Sequence, residues 1–264
     1  MLNCQNIQKT FDTGTATEKV ALNTCNLHLN DNDFVTVIGG NGAGKSTLLN
    51  AIAGVFMVEE GSINIDGVDV TRIPEHVRAQ YIGRVFQDPR MGTSPGMSLE
   101  ENLAIAYRRG KRRTLRWGTK RKEKDIFRSH LESLGLGLED RLSVKVGTLS
   151  GGQRQALTLL MATIQKPKIL LLDEHTAALD PKTAKIVLEL TQRIIKENQL
   201  TTLMVTHNMR DALKIGNRLA MMHEGRIILD LNSEQKSKQT IPDLLKMFEQ
   251  ASGEEVLSDR MLLG

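Results

Sequence analysis

Apolar positions along the chain follow strand-like and helix-like rhythms, and the switches between them mark its organisation. In residues 1–30, short runs of alternating apolar and polar side chains are broken by the polar stretch FDTGTATEK, which predicts short antiparallel strands joined by a turn. Residues 34–38, FVTVI, form a nearly continuous apolar strand that runs straight into glycines. From Ser46 onward Leu48, Leu49 and Ile52 fall at helical spacing, and Gly54 stands just past a helix end. INIDGVDV alternates Ile63 and Ile65 up to Asp66-Gly67, a hairpin signal. Residues 82–86 predict another short strand.

Between 88 and about 147 the strand signals stop. Ser98 followed three residues later by Glu101 reads as a capping box opening a helix, and a second helix is expected around 126–134. This segment reads as a mainly helical lobe inserted into an α/β core. The α/β alternation then returns. A helix over 151–164 leads to a strand over 168–172, and Asp180-Pro181 opens a helix with Val187, Leu190 and Ile194 on one face. A strand over 202–205, a hairpin near 219–231 and a short helix around 243–250 complete the pattern. Helices alternating with buried strands predict a mainly parallel sheet. The expected main domain is 1–231, with 232–264 a packing helix and a loose tail.

Composition narrows the class. At 264 residues, 40% hydrophobic and 25% charged, the chain suits one large globular domain or two small lobes. No apolar run approaches the ~18–20 residues that span a bilayer. The start, MLNCQNIQKT, lacks a signal-peptide pattern, so a cytoplasmic location is expected. Cys4 and Cys25 form no CxxC pair and are expected as small buried apolar residues. The net charge of +4 misleads, because RRGKRRTLRWGTKRKEK (108–124) holds ten basic residues and one acid, a local +9 that leaves the rest at −5. Charge confined to one segment argues against a nucleic-acid partner, which needs basic residues spread over folded elements.

The chemistry begins where the apolar strand meets the glycines. Gly39, Gly40, Asn41, Gly42, Ala43, Gly44, Lys45, Ser46 and Thr47 fit the phosphate-binding pattern G-x-x-x-x-G-K-[ST] between a strand and a helix. Glycines let backbone N–H groups and a helix N-terminus approach phosphates, while the lysine reaches the β- and γ-phosphates and the serine can ligate Mg²⁺. In KILLLDEHTAALD, Asp173 emerges at the carboxyl end of a buried strand, where it can hold Mg²⁺ through water. Glu174 follows and can polarise an attacking water. GTPases commonly position that water with Gln, so the Asp-Glu pair favours an ATPase. LSGGQ, containing Ser150, Gly151, Gly152 and Gln153, opens a second glycine-rich helix start. One phosphate loop has no evident use for two such surfaces on one nucleotide. Two copies facing head to tail, each completing the other's site, would use both.

Across about residues 1–231 the sequence resembles the ATP-binding subunits of ABC transporters. The phosphate loop, VFQDP with Gln87, LSGGQ, Asp173-Glu174, AALD ending at Asp180 and VTH ending at His207 stand in that family's order, with 63 residues from Gln87 to Ser150 and 23 from Ser150 to Asp173. The resemblance implies a P-loop NTPase core with an N-terminal antiparallel β subdomain and an inserted α-helical subdomain. It implies that Gln87 touches Mg²⁺ or the lytic water, and that Ser150 and Gly152 contact the γ-phosphate on the opposite subunit. Asp180 would line the dimer interface, and His207 would contact the γ-phosphate and orient Glu174. An aromatic residue usually stacks on adenine, and Phe11 is the candidate. His175 stands where the family usually has Pro and is given no catalytic role.

By the same resemblance, the cofactors are ATP and Mg²⁺, and the chain works as a homodimer on the cytoplasmic face of the membrane. Its partners would be transmembrane permease subunits, contacted by the 88–147 lobe, and an extracytoplasmic substrate-binding protein. The wording DEHTAALD leans toward bacterial import ATPases for small solutes such as amino acids, possibly aromatic ones. An exporter or lipoprotein-release ATPase is the alternative. Arg108 to Lys124, with Trp117 inside, would face anionic headgroups or acidic permease loops, at about 1 kcal/mol per basic residue, or else form a solvated loop.

Overall fold

The computed structural model describes residues 1–111 and 118–253. In chain order the elements are β1 (Leu2–Phe11), β2 (Lys19–Leu29), β3 (Phe34–Gly39), α1 (Lys45–Ala53), β4 (Glu60–Ile65), β5 (Val68–Asp69), α2 (Glu75–Arg78), β6 (Ile82–Val85), α3 (Leu99–Tyr107) and α4 (Arg121–Glu132). They continue with α5 (Gly151–Thr163), β7 (Ile169–Asp173), α6 (Pro181–Asn198), β8 (Thr201–Val205), α7 (Met209–Lys214), β9 (Arg218–His223), β10 (Arg226–Leu231), α8 (Ser233–Ser237) and α9 (Ile241–Ser252). The chain divides into two compact units, Met1–Tyr81 with Gln199–Gly264, and Ile82–Asn198. The fold is α/β, with an antiparallel N-terminal sheet, mainly parallel pairing elsewhere and a helical insert.

In the first unit, β2, β1, β4 and β5 form the antiparallel sheet. Leu2 pairs with Leu29 on one side and with Ile65 on the other, and all three are buried. Burying one face of a period-2 pattern is what sets this register. The expected hairpin turns at Asp66 and Gly67, both left-handed (φ 53° and 83°), as a two-residue turn between right-twisted strands requires. Cys4 and Cys25 lie inside, as expected. Burial pushes the Cys25 thiol up to about 12 and raises that of Cys4 as well, so both are unreactive.

The same unit holds β3 between β8 and β9, parallel to each. Phe34 to Ile38 are all buried, and strands buried on both faces read as nearly continuous apolar runs, which accounts for the run at 34–38; its one polar residue, Thr36, donates to the Ala212 carbonyl (3.0 Å). β10 returns antiparallel to β9. Leu244 and Phe248 of α9 join Ile38, Met209, Leu219, Met221 and Leu231 in one core cluster. The tail expected beyond α9 lies outside the described residues.

Arg78, 1% exposed, closes the C-terminal end of α1. Its guanidinium donates to the carbonyls of Ala51 (2.7 Å), Ile52 (2.9 Å), Thr71 (3.1 Å) and Ile73 (2.7 Å). A cation at the negative end of a helix dipole is electrostatically matched.

In the second unit β6 and β7 run parallel, with Val85 opposite Leu172, and α3 to α6 belong to the same unit. The capping box at Ser98 forms, with Glu101 N–H donating to Ser98 Oγ (3.2 Å) and Ser98 N–H donating to Glu101 Oε2 (2.7 Å). The second helix starts earlier than the apolar spacing predicts. α4 opens at Arg121 because the Lys120 N–H donates to Glu123 (2.9 Å), so the basic run supplies its first turn. Other members of that run have partners inside the unit. Arg109 donates to the carbonyls of Ala162 (2.9 Å) and Gln165 (2.8 Å) at the end of α5. Arg108 pairs with Glu123 (3.1 Å) and Lys124 with Glu100 (2.9 Å). Arg112, Arg113, Arg116 and Trp117 lie outside the described residues.

Candidate nucleotide site

The phosphate loop hangs between β3 and α1 in the first unit. Gly44 caps α1 with φ 100°, and a Cβ there would sit 2.5 Å from the Ala21 carbonyl oxygen. Only glycine fits the conformation and the space. A Cβ on Gly39 would collide with the Met222 carbonyl. Lys45 is buried, and its ammonium arches back to donate to the carbonyls of Gly39 (2.9 Å) and Gly40 (3.1 Å). Among the described residues no side chain caps α1, and its first turn holds no acid. A positive helix end with no carboxylate, a nearby ammonium and a glycine wall suit a polyphosphate. Asn41, Gly42 and Ser46 are exposed at this end and Thr47 is half-buried.

His207 belongs to the same unit. The Thr206 N–H donates to the Val37 carbonyl (3.1 Å), continuing the parallel pairing of β8 with β3. His207 therefore leaves β8 at the sheet end where β3 meets the loop. Asn208, next in the chain, caps α7 through the Asp211 N–H (3.1 Å). Burial raises the Asp211 carboxyl, and the charges of Lys214 and His207 oppose that. Phe11 ends β1 and is 37% exposed. Its ring meets Phe56 edge-on at 5.3 Å, with the Lys9 ammonium 5.3 Å from its centre.

The acidic pair belongs to the second unit. Asp173 ends β7, and Gln87 lies two residues beyond the parallel neighbour β6. The Gln87 amide nitrogen stands 3.5 Å from a Glu174 carboxylate oxygen. Glu174 itself is left-handed, with φ 41°. The Arg84 guanidinium lies 3.9 Å from Asp173 and 4.5 Å over the Phe86 ring. The sequence reading missed Arg84, although a charge in the apolar strand IGRVF was a readable signal. Gln155 was also missed. It is wholly buried on α5 and donates to the Phe86 carbonyl (3.2 Å) just before Gln87, and nothing local in the sequence marks it.

The signature is first a helix start. Ser150 and Gln153 form a reciprocal capping box, with Gln153 N–H to Ser150 Oγ at 3.3 Å and Ser150 N–H to Gln153 Oε1 at 3.2 Å. Gly152 packs so closely on α6 that a Cβ would strike the Thr183 methyl, while a Cβ on Gly151 would sit 3.3 Å from Leu179. The Asp180 carboxylate accepts from the Thr183 N–H (3.1 Å). The hydrogen bonds of Thr183 hold the Asp180 carboxyl below the usual range. The structure thus groups the loop with His207 in one unit, and Gln87, Asp173, Glu174, the signature and Asp180 in the other.

Comparison with known proteins gives these groupings a family. The family model described as ABC transporter matches residues 22–177. A tyrosine transport ATP-binding protein of Clostridioides difficile is 44% identical over 252 residues, covering 95% of this chain and all of that protein. An ATP-binding cassette solved as a dimer in a post-hydrolysis state with ADP and phosphate superposes with a TM-score of 0.75 at 27% identity, covering 88% of this chain and 99% of that one. The ADP conformation of another ABC transporter cassette gives 0.76 at 27% identity, covering 94% and 98%. With the loop, the acidic strand and the signature in place, the chain belongs to the ABC transporter family, as an ATP-binding, ATP-hydrolysing subunit.

Proposed function

We propose that the chain powers the import of a small solute of the amino-acid class, as a homodimer that drives separate permease subunits fed by an extracytoplasmic binding protein. The observation that carries this reading is the full-length match to a tyrosine transport ATP-binding protein. Among the described residues no helix is long and apolar enough to cross a membrane, which suits a peripheral subunit on the cytoplasmic face with the transport path in another protein. In the second unit a groove of about 260 Å³, lined by Arg84, Phe86, Met91, Ala106, Arg109 and Met161, supports the helical lobe as the permease-facing side.

In this reading the loop N–H groups and Lys45 hold the phosphates, and Phe11 stacks on adenine. Ser46, Asp173 and Gln87 offer the hard oxygen donors that Mg²⁺ requires, and the ion would neutralise charge on the β- and γ-phosphates. Glu174 takes the proton of the attacking water, and His207 orients both. Ser150 and Gly152 reach the γ-phosphate held by the other subunit, with Gly151 and Gln153 beside them and Asp180 at the interface.

Lys45→Ala is expected to weaken ATP binding about tenfold or more, the scale of a lost charged hydrogen bond, as read by nucleotide titration. Unchanged affinity would remove Lys45 from the phosphate site. The transport assignment is tested by recovering the tagged chain from gently solubilised native membranes and identifying its partners. A multi-spanning protein with a secreted binding protein supports import, and that binding protein can then be screened against amino acids. A membrane partner with a large extracytoplasmic domain and no binding protein would favour an exporter or lipoprotein-release system.

A further inference from the structure

We propose that His175 is a positioning residue for ATP hydrolysis, pinning the backbone beside Glu174 to α6 through Thr191. The inference rests on Glu174 being the base. Glu174 sits at φ 41°, a region that a non-glycine residue holds only when its surroundings enforce it. The Ala177 N–H closes the turn onto the Glu174 carbonyl at 2.9 Å. His175 and Thr176 lie within this turn, and His175, directly after Glu174, is 1% exposed.

The hydrogen bonds define the state of the imidazole. His175 Nε2 lies 3.0 Å from Thr191 Oγ1, and that hydroxyl lies 2.8 Å from the Val187 carbonyl one turn earlier in α6. A carbonyl only accepts, so the Thr191 proton goes to Val187. Thr191 then accepts from His175, and Nε2 carries the ring proton. Nδ1 is left as a buried acceptor with no hydrogen-bond partner among the described residues.

The unsatisfied nitrogen separates positioning from packing. A side chain needed only to fill this space would do so better as an apolar residue, because a buried acceptor without a donor costs stability. What the imidazole adds is one directed N–H, aimed at a hydroxyl whose own direction is set by a helix carbonyl. The chain His175–Thr191–Val187 ties the residue after the base to a rigid element. Functional carboxylates need such support, since a small misplacement of a reacting group costs rate steeply.

The test uses the full chain with His175→Leu, His175→Gln, Thr191→Val and the Leu/Val double variant, measuring kcat, ATP affinity and melting temperature. His175→Leu and Thr191→Val are each expected to lower kcat about tenfold with ATP affinity unchanged, and the double variant no further. Gln places an amide N–H where Nε2–H stands and is expected to restore most of the rate. Near-normal kcat in His175→Leu, or Gln no faster than Leu, overturns the proposal. Should His175→Leu not fold, Thr191→Val, nearly isosteric, decides, and a normal kcat there overturns it equally. Glu174→Gln in the same assay separates the premise. If that variant turns over normally, the assignment of the base fails first. If it is inactive while His175→Leu is normal, only the His175 proposal fails.

Discussion

Glu174→Gln is expected to stop ATP turnover, lowering kcat by about 100-fold or more, the scale of a lost general base, while Mg-ATP still binds. Gln keeps the shape of the side chain and its place 3.5 Å from the Gln87 amide but cannot take a proton. In the proposed site other groups, the loop amides and Lys45, hold the nucleotide, so binding and chemistry are expected to separate. With ATP bound and hydrolysis blocked, the chain is expected to accumulate as a dimer. Phosphate release measures the rate, and light scattering after size exclusion measures the dimer. A wild-type rate would remove Glu174 from the role of base, and a rate loss matched by lost ATP binding would make it a binding residue instead.

Arg78→Met is expected to destabilise the first unit by about 3–5 kcal/mol, as for a broken buried polar network. The side chain is almost fully buried, and burial lowers its pKa. Carbonyl dipoles, two of them from the last turn of α1, replace its lost hydration. Met fills much of the volume but donates nothing, so four carbonyls lose a donor at once. Because α1 begins at the phosphate loop, its far end is anchored by this one side chain. Denaturant unfolding of the full chain would report the loss, and an unchanged midpoint would mean that water or a rearranged turn replaces the guanidinium.

How far the sequence could be read follows the range of the interactions. The strand at 34–38, the Asp66-Gly67 turn, the Ser98 box and the LSGGQ helix start were all legible, because burial period, turn chemistry and capping act over a few residues. The loop motif was legible for the same reason: its glycines, lysine and serine all fall between Gly39 and Ser46. The start of α4 was not, because its apolar spacing begins after its capping Glu123. The basic run was only half readable. Its charge is local, but the contact of Arg109 with the end of α5 spans 53 and 56 residues.

The sequence by itself determined the α/β alternation, the family motifs and the ATPase chemistry, since each is written in short runs whose physics is local. Tertiary structure decided the rest. It brought the Gln87 amide to Glu174 across 87 residues through parallel pairing of β6 with β7. It set Arg78 on the carbonyl end of α1. It buried His175, which the sequence left without a role, with its Nε2 3.0 Å from Thr191 Oγ1. Hydrogen bonds and desolvation depend on which groups folding brings within about 3 Å, and no local pattern specifies those distant partners.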